Sequence, residues 1–208
     1  MTAEDVERFR SCIAAGGVAL FPSDTVYGLA TDPESEEGVH RLYALKGRPP
    51  DRPAAVMFFD SGLALAALPE LGPRTRAALE RLLPGPLTAL VANPARRFPL
   101  ACGPEPQRLG LRVPSLEGAL APLAGARWAV LQSSANRSGG PDARRVGDVD
   151  PELRRGVDTE LDAGELPDTA STVVDLTRYE GYESGGRGYR ILREGAMPAA
   201  AVAARLAE

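Results

Sequence analysis

The sequence from residue 18 to residue 25 reads VALFPSDT, four apolar residues followed by a proline and three polar residues. The apolar run 18–21 predicts a buried strand that ends at Pro22, since proline cannot donate to a sheet ladder. The polar turn Ser23-Asp24-Thr25 then comes directly after the strand end. In open α/β sheets, ligands usually bind beyond such strand ends. The stretch therefore indicates both a sheet and a candidate site.

Two amphipathic helices are predicted on either side of this strand. Thr2 can cap the first, which ends at Gly16-Gly17, and Ser35 can cap the second. Their apolar faces are given by the i, i+3, i+4 spacing of Val6, Phe9 and Ile13 in the first and of Val39, Leu42 and Tyr43 in the second.

Lys46 occupies the next position of the second apolar stripe and is the only lysine among 24 basic residues. An ammonium at that place points toward the protein. Two interpretations remain open, a residue that lines a pocket and a lysine whose stem covers the edge of the core.

Further strands and helices interleave along the chain, although not in strict alternation. We expect strands at 54–59, 87–92, 109–113, 128–132, 157–161, 172–176 and 189–192, and helices at 73–83, after Ser115 and from about Pro198. Such an order favours an α/β fold with a mixed, twisted, open sheet. Neither a linker nor a repeat divides the sequence, so we expect one domain over residues 1–208 and no additional carboxy-terminal domain.

Composition restricts the function classes. The sequence has 24 basic and 28 acidic residues, a net charge of −4, and no apolar run near the ~18 residues of a membrane span. Its start, MTAEDVERFR, is acidic where a signal peptide is basic, so we expect a cytoplasmic protein without membrane contact. With Cys12, Cys102 and the single His40, no cysteine or HExxH metal site is predicted, and both thiols are interpreted as inert.

The usual nucleotide-binding loops are missing, since neither GxxxxGK[ST] nor a GxGxxG between strand and helix occurs. A polyphosphate would then need donors that converge from several loops. Lys46-Gly47-Arg48, at a predicted helix end, and the run 133–139, SSANRSG, after a predicted strand, offer such donors. Taken alone, a Ser-Asn-Gly run is most often only a turn.

Seven short motifs in order carry a family resemblance. They lie between residues 17 and 195, nearly the whole chain, and read FPSDTVYGL (21–29), KGRP (46–49), PGPLT (84–88), RVP (112–114), SANRSG (134–139), STVVD (171–175) and LREG (192–195). With this ordered set the chain resembles the YrdC-like family, whose characterised members are L-threonylcarbamoyladenylate synthases.

The resemblance implies a single α/β domain with a concave basic groove. It also implies condensation of L-threonine, bicarbonate and ATP, usually with Mg²⁺, into threonylcarbamoyl-AMP and pyrophosphate. A separate tRNA threonylcarbamoyl transferase complex would then use the product to form N6-threonylcarbamoyladenosine in tRNA. Neither chemical step needs an enzyme nucleophile, so positioning and charge neutralisation should dominate.

Site residues follow from the motif positions. The resemblance implies catalytic roles for Lys46 and Arg48. It also implies ATP binding by Lys46, Ser134, Asn136, Arg144 and Arg193, and threonine binding by Ser23, Tyr27, Arg112, Ser134 and Ser171.

Some positions differ from the family pattern. Ser23 stands where threonine is usual, Arg108 and Arg144 stand where small hydroxyl residues are expected near the nucleotide, and Ser115 follows Arg112-Val113-Pro114 without the usual His-Pro. These differences leave open a paralogue with another substrate. A third hypothesis, a double-stranded RNA or tRNA-binding protein without synthase activity, has support from paired arginines but not from the net charge or the 5% aromatic content.

Overall fold

The structure, a computed structural model, describes residues 1–167, 169–181 and 188–207. Its helices are α1 (Ala3–Ala14), α2 (Glu36–Lys46), α3 (Ser61–Ala67), α4 (Pro73–Leu82), α5 (Pro99–Cys102), α6 (Pro151–Gly156) and α7 (Ala199–Ala207). Its strands are β1 (Ala19–Pro22), β2 (Tyr27–Thr31), β3 (Ala55–Phe58), β4 (Leu87–Ala92), β5 (Arg108–Arg112), β6 (Ala129–Ser134), β7 (Thr159–Glu160), β8 (Thr172–Asp175) and β9 (Arg190–Arg193). Two 3₁₀ helices span Gly118–Gly125 and Val146–Asp148.

The nine described strands form one open sheet in the order β7-β1-β2-β6-β3-β5-β4-β8-β9. Three pairs are parallel, β1 with β7, β3 with β5 and β4 with β8, and the other five are antiparallel. The predicted mixed α/β sheet is thus confirmed. Because β3 and β5 are neighbours at its centre, residues from distant parts of the sequence meet on one face.

Local signals in the sequence explain where the first two helices begin and end. The Thr2 hydroxyl accepts from the Asp5 amide, and the Asp5 carboxylate accepts from the Thr2 amide in return, as in a capping box. Ser35 caps α2 by accepting from the Gly38 amide at 3.1 Å. Gly47 ends α2 in the left-handed conformation, with φ at 59°, which turns the chain immediately after Lys46.

Hydrophobic residues pack on both faces of the sheet. On one face α1 covers the sheet with Phe9, whose ring lies 5.4 Å from Phe21 and has edge contacts with Phe59 and Trp128. On the other face, residues of α2 and α4 join a larger cluster with the strands. Gly110 and Arg112 alternate along β5 with Leu109 and Leu111 of this larger cluster, so the candidate site that they line lies on the first face.

The structure adds elements that the sequence pattern did not predict. Strand β2 and helix α3 are both new, and the helix expected after Ser115 is a 3₁₀ helix. Cys102, expected in a loop, ends the short helix α5 and is buried. In the described part of the chain, no helix is long and apolar enough to cross a membrane.

Candidate active site

A cavity of about 420 Å³ opens over the centre of the sheet. Residues of β2, β3, β4, β5, β6, β8 and β9 contribute to its wall. Five arginines and two acidic residues line it: Arg48, Arg52, Arg108, Arg112, Arg193, Glu105 and Asp142. Although the whole chain is acidic, the cavity has a local excess of positive charge and suits an anionic ligand.

Lys46, at the end of α2, is only 2% exposed. Its Nζ donates to the Asn136 backbone oxygen at 2.7 Å and to Asn136 Oδ1 at 3.0 Å, and it also donates to the Ser134 carbonyl. The Ser138 amide in turn donates to the Lys46 carbonyl at 2.9 Å. The end of α2 is therefore hydrogen-bonded to the 134–138 segment through both the backbone and the side chain of Lys46.

The environment of Lys46 weakens its hold on a proton. The pKa of Lys46 is lowered to about 8, mainly by burial and also by the nearby charges of Arg48 and Arg52, while Asp142 opposes the shift. An ammonium in such a place is stabilised by the arrival of an anion. Of the two interpretations left open by the sequence, neither is met in full: the ammonium is buried among protein oxygens and does not reach solvent past the core edge, and Lys46 itself does not line the cavity.

Asn136 links Lys46 to the wall of the cavity. Its Oδ1 accepts from the Ser134 hydroxyl at 2.7 Å, and its Nδ2 donates to the Gly140 carbonyl at 2.6 Å and to Asp142 Oδ1 at 3.2 Å. Ser134 and Asp142 line the cavity, whereas Lys46 and Asn136 lie immediately behind them. The four side chains form one connected polar cluster.

Arg112, on β5, is buried beside the turn that follows β1. Its Nη2 donates to Asp24 Oδ1 at 2.9 Å and to the Thr25 hydroxyl at 3.1 Å, while Asp24 Oδ2 accepts from the Ser115 amide at 3.0 Å. Burial lowers the pKa of Arg112 and raises that of Asp24, and each charge opposes the shift of the other. Arg112 lines the cavity on the side of β4 and β8.

Hydroxyl groups surround the same side of the cavity. The Ser171 hydroxyl lies 3.0 Å from that of Thr88, and both line the wall. Arg193 donates from Nη2 to the Ser171 carbonyl at 2.8 Å and to its hydroxyl at 3.2 Å. This side of the cavity can thus offer guanidinium and hydroxyl donors to a small polar molecule.

Arg48, the other candidate catalytic residue, lines the cavity close to Lys46. Its guanidinium lies 5.5 Å from the centre of the Tyr43 ring and donates to the Pro53 carbonyl. Burial lowers the pKa of Arg48. These contacts hold the turn after α2 as well as presenting a charge to the cavity.

Three sequence-derived candidates are placed differently from the rest. Arg144 is half-buried, forms an ion pair with Glu165 and does not line the cavity. Ser23 is buried behind the wall and contacts the Thr25 hydroxyl at 2.9 Å. Tyr27 reaches the cavity, but its hydroxyl contacts Asp162 Oδ1 and the Gly164 carbonyl, both at 2.9 Å.

The sequence pattern did not single out several wall residues. Arg52, Glu105, Gln132 and Asp142 have no motif signal of their own. Arg108, noted only as a departure from the family pattern, lines the cavity, with a buried Nε that has no partner among the described residues. The sequence did offer one signal for Asp142, because it follows Asn136 by six residues in the same polar loop.

Metal-binding and nucleophilic groups are sparse. Among residues 1–167, 169–181 and 188–207, no group of three His, Cys, Asp or Glu could hold a metal ion. His40 is exposed on α2, away from the cavity. Burial raises the pKa of Cys12 to about 11 and also raises that of Cys102, so neither thiol ionises near neutral pH.

Comparison with known proteins gives three consistent similarities. The Sua5/YciO/YrdC family model, described as telomere recombination, matches residues 11–195. The threonylcarbamoyl-AMP synthase of Pyrococcus abyssi is 29% identical over 182 residues, 85% of this chain and 53% of that protein. The threonylcarbamoyl-AMP synthase of Chromohalobacter salexigens is 34% identical over 152 residues, 70% of this chain and 80% of that protein.

A solved structure supports the same fold. The crystal structure of P. abyssi Sua5 complexed with L-threonine superposes with a TM-score of 0.83 and 24% identity, covering 99% of this chain and 58% of that one. The present chain spans about half the length of the P. abyssi relative.

Proposed function

The chain belongs to the Sua5/YciO/YrdC family, and on that premise we propose that it makes threonylcarbamoyl-AMP from L-threonine, bicarbonate and ATP. The enzyme is a nucleotidyltransferase. One observation carries the proposal: an arginine-lined cavity of about 420 Å³ that has the Lys46 cluster behind one wall and Arg112 in another. The names of the relatives described above support the same activity.

The reaction has two bond-forming steps. The threonine amine attacks the carbon of bicarbonate, or of carbon dioxide derived from it, and water is lost as the carbamate forms. A carbamate oxygen then attacks the α-phosphorus of ATP, and the bond to the β-phosphate oxygen breaks to release pyrophosphate. Protein groups contribute by aligning the two anions and by neutralising charge in the transition state.

The cluster of Lys46, Ser134 and Asn136 is assigned to the nucleotide. Its ammonium, with the Arg48 guanidinium nearby, would stabilise charge on the α-phosphate. A lysine suits this place because a compact ammonium on a flexible stem can follow a charge that moves during the reaction. The motif position assigns Arg193 to ATP, but its guanidinium donates to Ser171, on the side of the cavity proposed for threonine.

The side of the cavity with Arg112 is assigned to threonine. A guanidinium is the natural partner of a carboxylate, and the Ser171 hydroxyl can bind the amine or hydroxyl of the substrate. Ser134 lines the cavity and is assigned to both ligands. Tyr27 shapes the wall, and Ser23 acts through Thr25.

ATP is expected to arrive with Mg²⁺ bound to its phosphates, because the described residues provide no metal site. The product would pass to a separate tRNA threonylcarbamoyl transferase complex, and we place the reaction in the cytoplasm. Direct RNA binding is less well supported, because Arg144 and Arg145 pair with Glu165 and Arg154 pairs with Glu160.

Pyrophosphate release from the purified protein tests the proposal. We expect release only when threonine, bicarbonate and ATP are all present, and loss of the activity in Lys46→Met. Asp158→Asn, a substitution in an ion pair with Arg41 outside the cavity, should retain it. Pyrophosphate release that ignores threonine would overturn the threonine assignment and favour a paralogue with another substrate.

A further inference from the structure

Asp24 is a buried residue of the FPSDTVYGL motif, and no role has been assigned to it so far. Its side chain is 6% exposed, and each carboxylate oxygen has a separate partner. Oδ1 accepts from Arg112 Nη2 at 2.9 Å, and Oδ2 accepts from the Ser115 amide at 3.0 Å. Asp24 therefore connects the turn between β1 and β2 to the segment that follows β5.

One nitrogen of the Arg112 guanidinium donates to the protein, and another has no partner among the described residues. Asp24 and Thr25 both accept from Nη2, so the two protons of that nitrogen are in use. In the described part of the chain the Arg112 Nε is buried and has no hydrogen-bond partner, although the residue lines the cavity. A buried donor without a partner is unfavourable, and a ligand oxygen at this place would satisfy it.

We propose that Asp24 is a positioning residue that fixes the Arg112 guanidinium with its free donors toward the carboxylate of the amino-acid substrate. The inference rests on the proposed function, which assigns threonine to this side of the cavity. Asp24 does not touch the substrate in this arrangement. Its contribution is to remove the rotational freedom that a long arginine side chain otherwise has, so that less is lost when the substrate binds.

A purely electrostatic role gives the opposite expectation. Asp24 neutralises Arg112, so replacing the carboxylate with an amide leaves more positive charge in the cavity. If charge alone mattered, Asp24→Asn would bind threonine more tightly. If orientation matters more, the same variant binds threonine more weakly. The sign of the change therefore separates the two roles.

The experiment is calorimetric titration of L-threonine and of L-threoninamide, which lacks the carboxylate, into the wild-type chain and Asp24→Asn. We expect Asp24→Asn to weaken threonine binding about 10-fold to 100-fold, the usual effect of losing a charge-assisted hydrogen bond. Binding of the amide should change little, so the preference of the protein for threonine over threoninamide should fall. The KM for threonine should rise with little change in kcat or in the KM for ATP.

Two further variants control for loss of structure. Asp158→Asn makes the same chemical change in the Arg41 ion pair and should leave the preference for threonine intact. Thr25→Val removes the other acceptor on Arg112 Nη2 while keeping the Asp24 charge, and should weaken threonine binding in the same direction by a smaller factor. It provides the test even if Asp24→Asn does not fold.

Different results overturn different statements. Wild-type protein that does not bind threonine would overturn the proposed function, and the inference with it. Wild-type binding with an unchanged or increased preference for threonine in a folded Asp24→Asn or Thr25→Val variant would overturn the inference alone.

Discussion

Alkaline pH should abolish the proposed synthase activity through Lys46. Burial, together with the charges of Arg48 and Arg52, lowers the pKa of this residue to about 8. The ammonium must be charged to neutralise a phosphate, so kcat/KM for ATP should fall as the pH rises through that value. One pH unit above the pKa, about a tenth of the molecules remain protonated, and the expected loss between pH 7 and pH 9 is about 10-fold.

The assay is pyrophosphate release at saturating threonine and bicarbonate over pH 6.5–9.5, with ATP varied; these pH limits are about 1.5 units on either side of the Lys46 pKa. Lys46→Arg serves as the comparator, since an arginine stays charged up to a pH of about 12. Its activity is expected to be lower at every pH because the planar group does not match the three oxygen acceptors of Lys46. Ionisation of the substrates affects both proteins equally. It therefore cancels in the ratio of kcat/KM for the wild type to kcat/KM for Lys46→Arg.

This ratio should decline as the pH rises through ~8, where about half of a lysine with the lowered pKa is deprotonated. Tyr27 and Cys12 do not confuse the result, because their pKa values are raised to about 12 and about 11. A ratio that stays constant to pH ~9.5 would show that the charge of Lys46 does not act on the nucleotide.

Three other predictions concern the core, the margin of the site and substrate choice. Phe9→Ala should lower the free energy of unfolding in urea by about 3–5 kcal/mol, because a fully buried ring with three aromatic neighbours is removed; a loss below ~1 kcal/mol would contradict this packing. Arg144→Ala should change the KM for ATP less than about threefold, since it replaces an exposed ion pair outside the cavity, and a tenfold rise would return Arg144 to the nucleotide site. Serine should replace threonine with kcat/KM reduced by about 10-fold to 200-fold, because one methyl group in a pocket contributes ~1–3 kcal/mol; equal use of both in the same assay would argue against a pocket fitted to threonine.

Much of the fold could be predicted from local patterns. Helix α2 combined a serine cap, an apolar stripe and a glycine end, and each signal agreed with the others. Strand β2 could not be predicted in the same way, because its five residues are all buried and show no alternation, and Gly28 lies among them. Helix α3 was missed because its short alanine-rich sequence, SGLALAA, gives no clear period.

The site was predicted less completely, because its geometry depends on strand order. Lys46 and Asn136 are 90 residues apart, and nothing in their local sequences indicates that the ammonium contacts this amide. The pairing of Asp24 with Arg112 spans 88 residues and requires β5 to lie near the turn after β1. Motif resemblance selected residues that the fold brings near the cavity, but it also selected Arg144, whose loop turns outward to Glu165.

The most direct test of a shared cavity is a crystal structure of the protein with L-threonine and a non-hydrolysable ATP analogue. We expect the threonine carboxylate at the Arg112 guanidinium and the α-phosphate beside the Lys46 ammonium, with Ser134 between the two ligands. Threonine and nucleotide bound at separate surfaces, or a nucleotide whose α-phosphate is out of reach of Lys46, would contradict it.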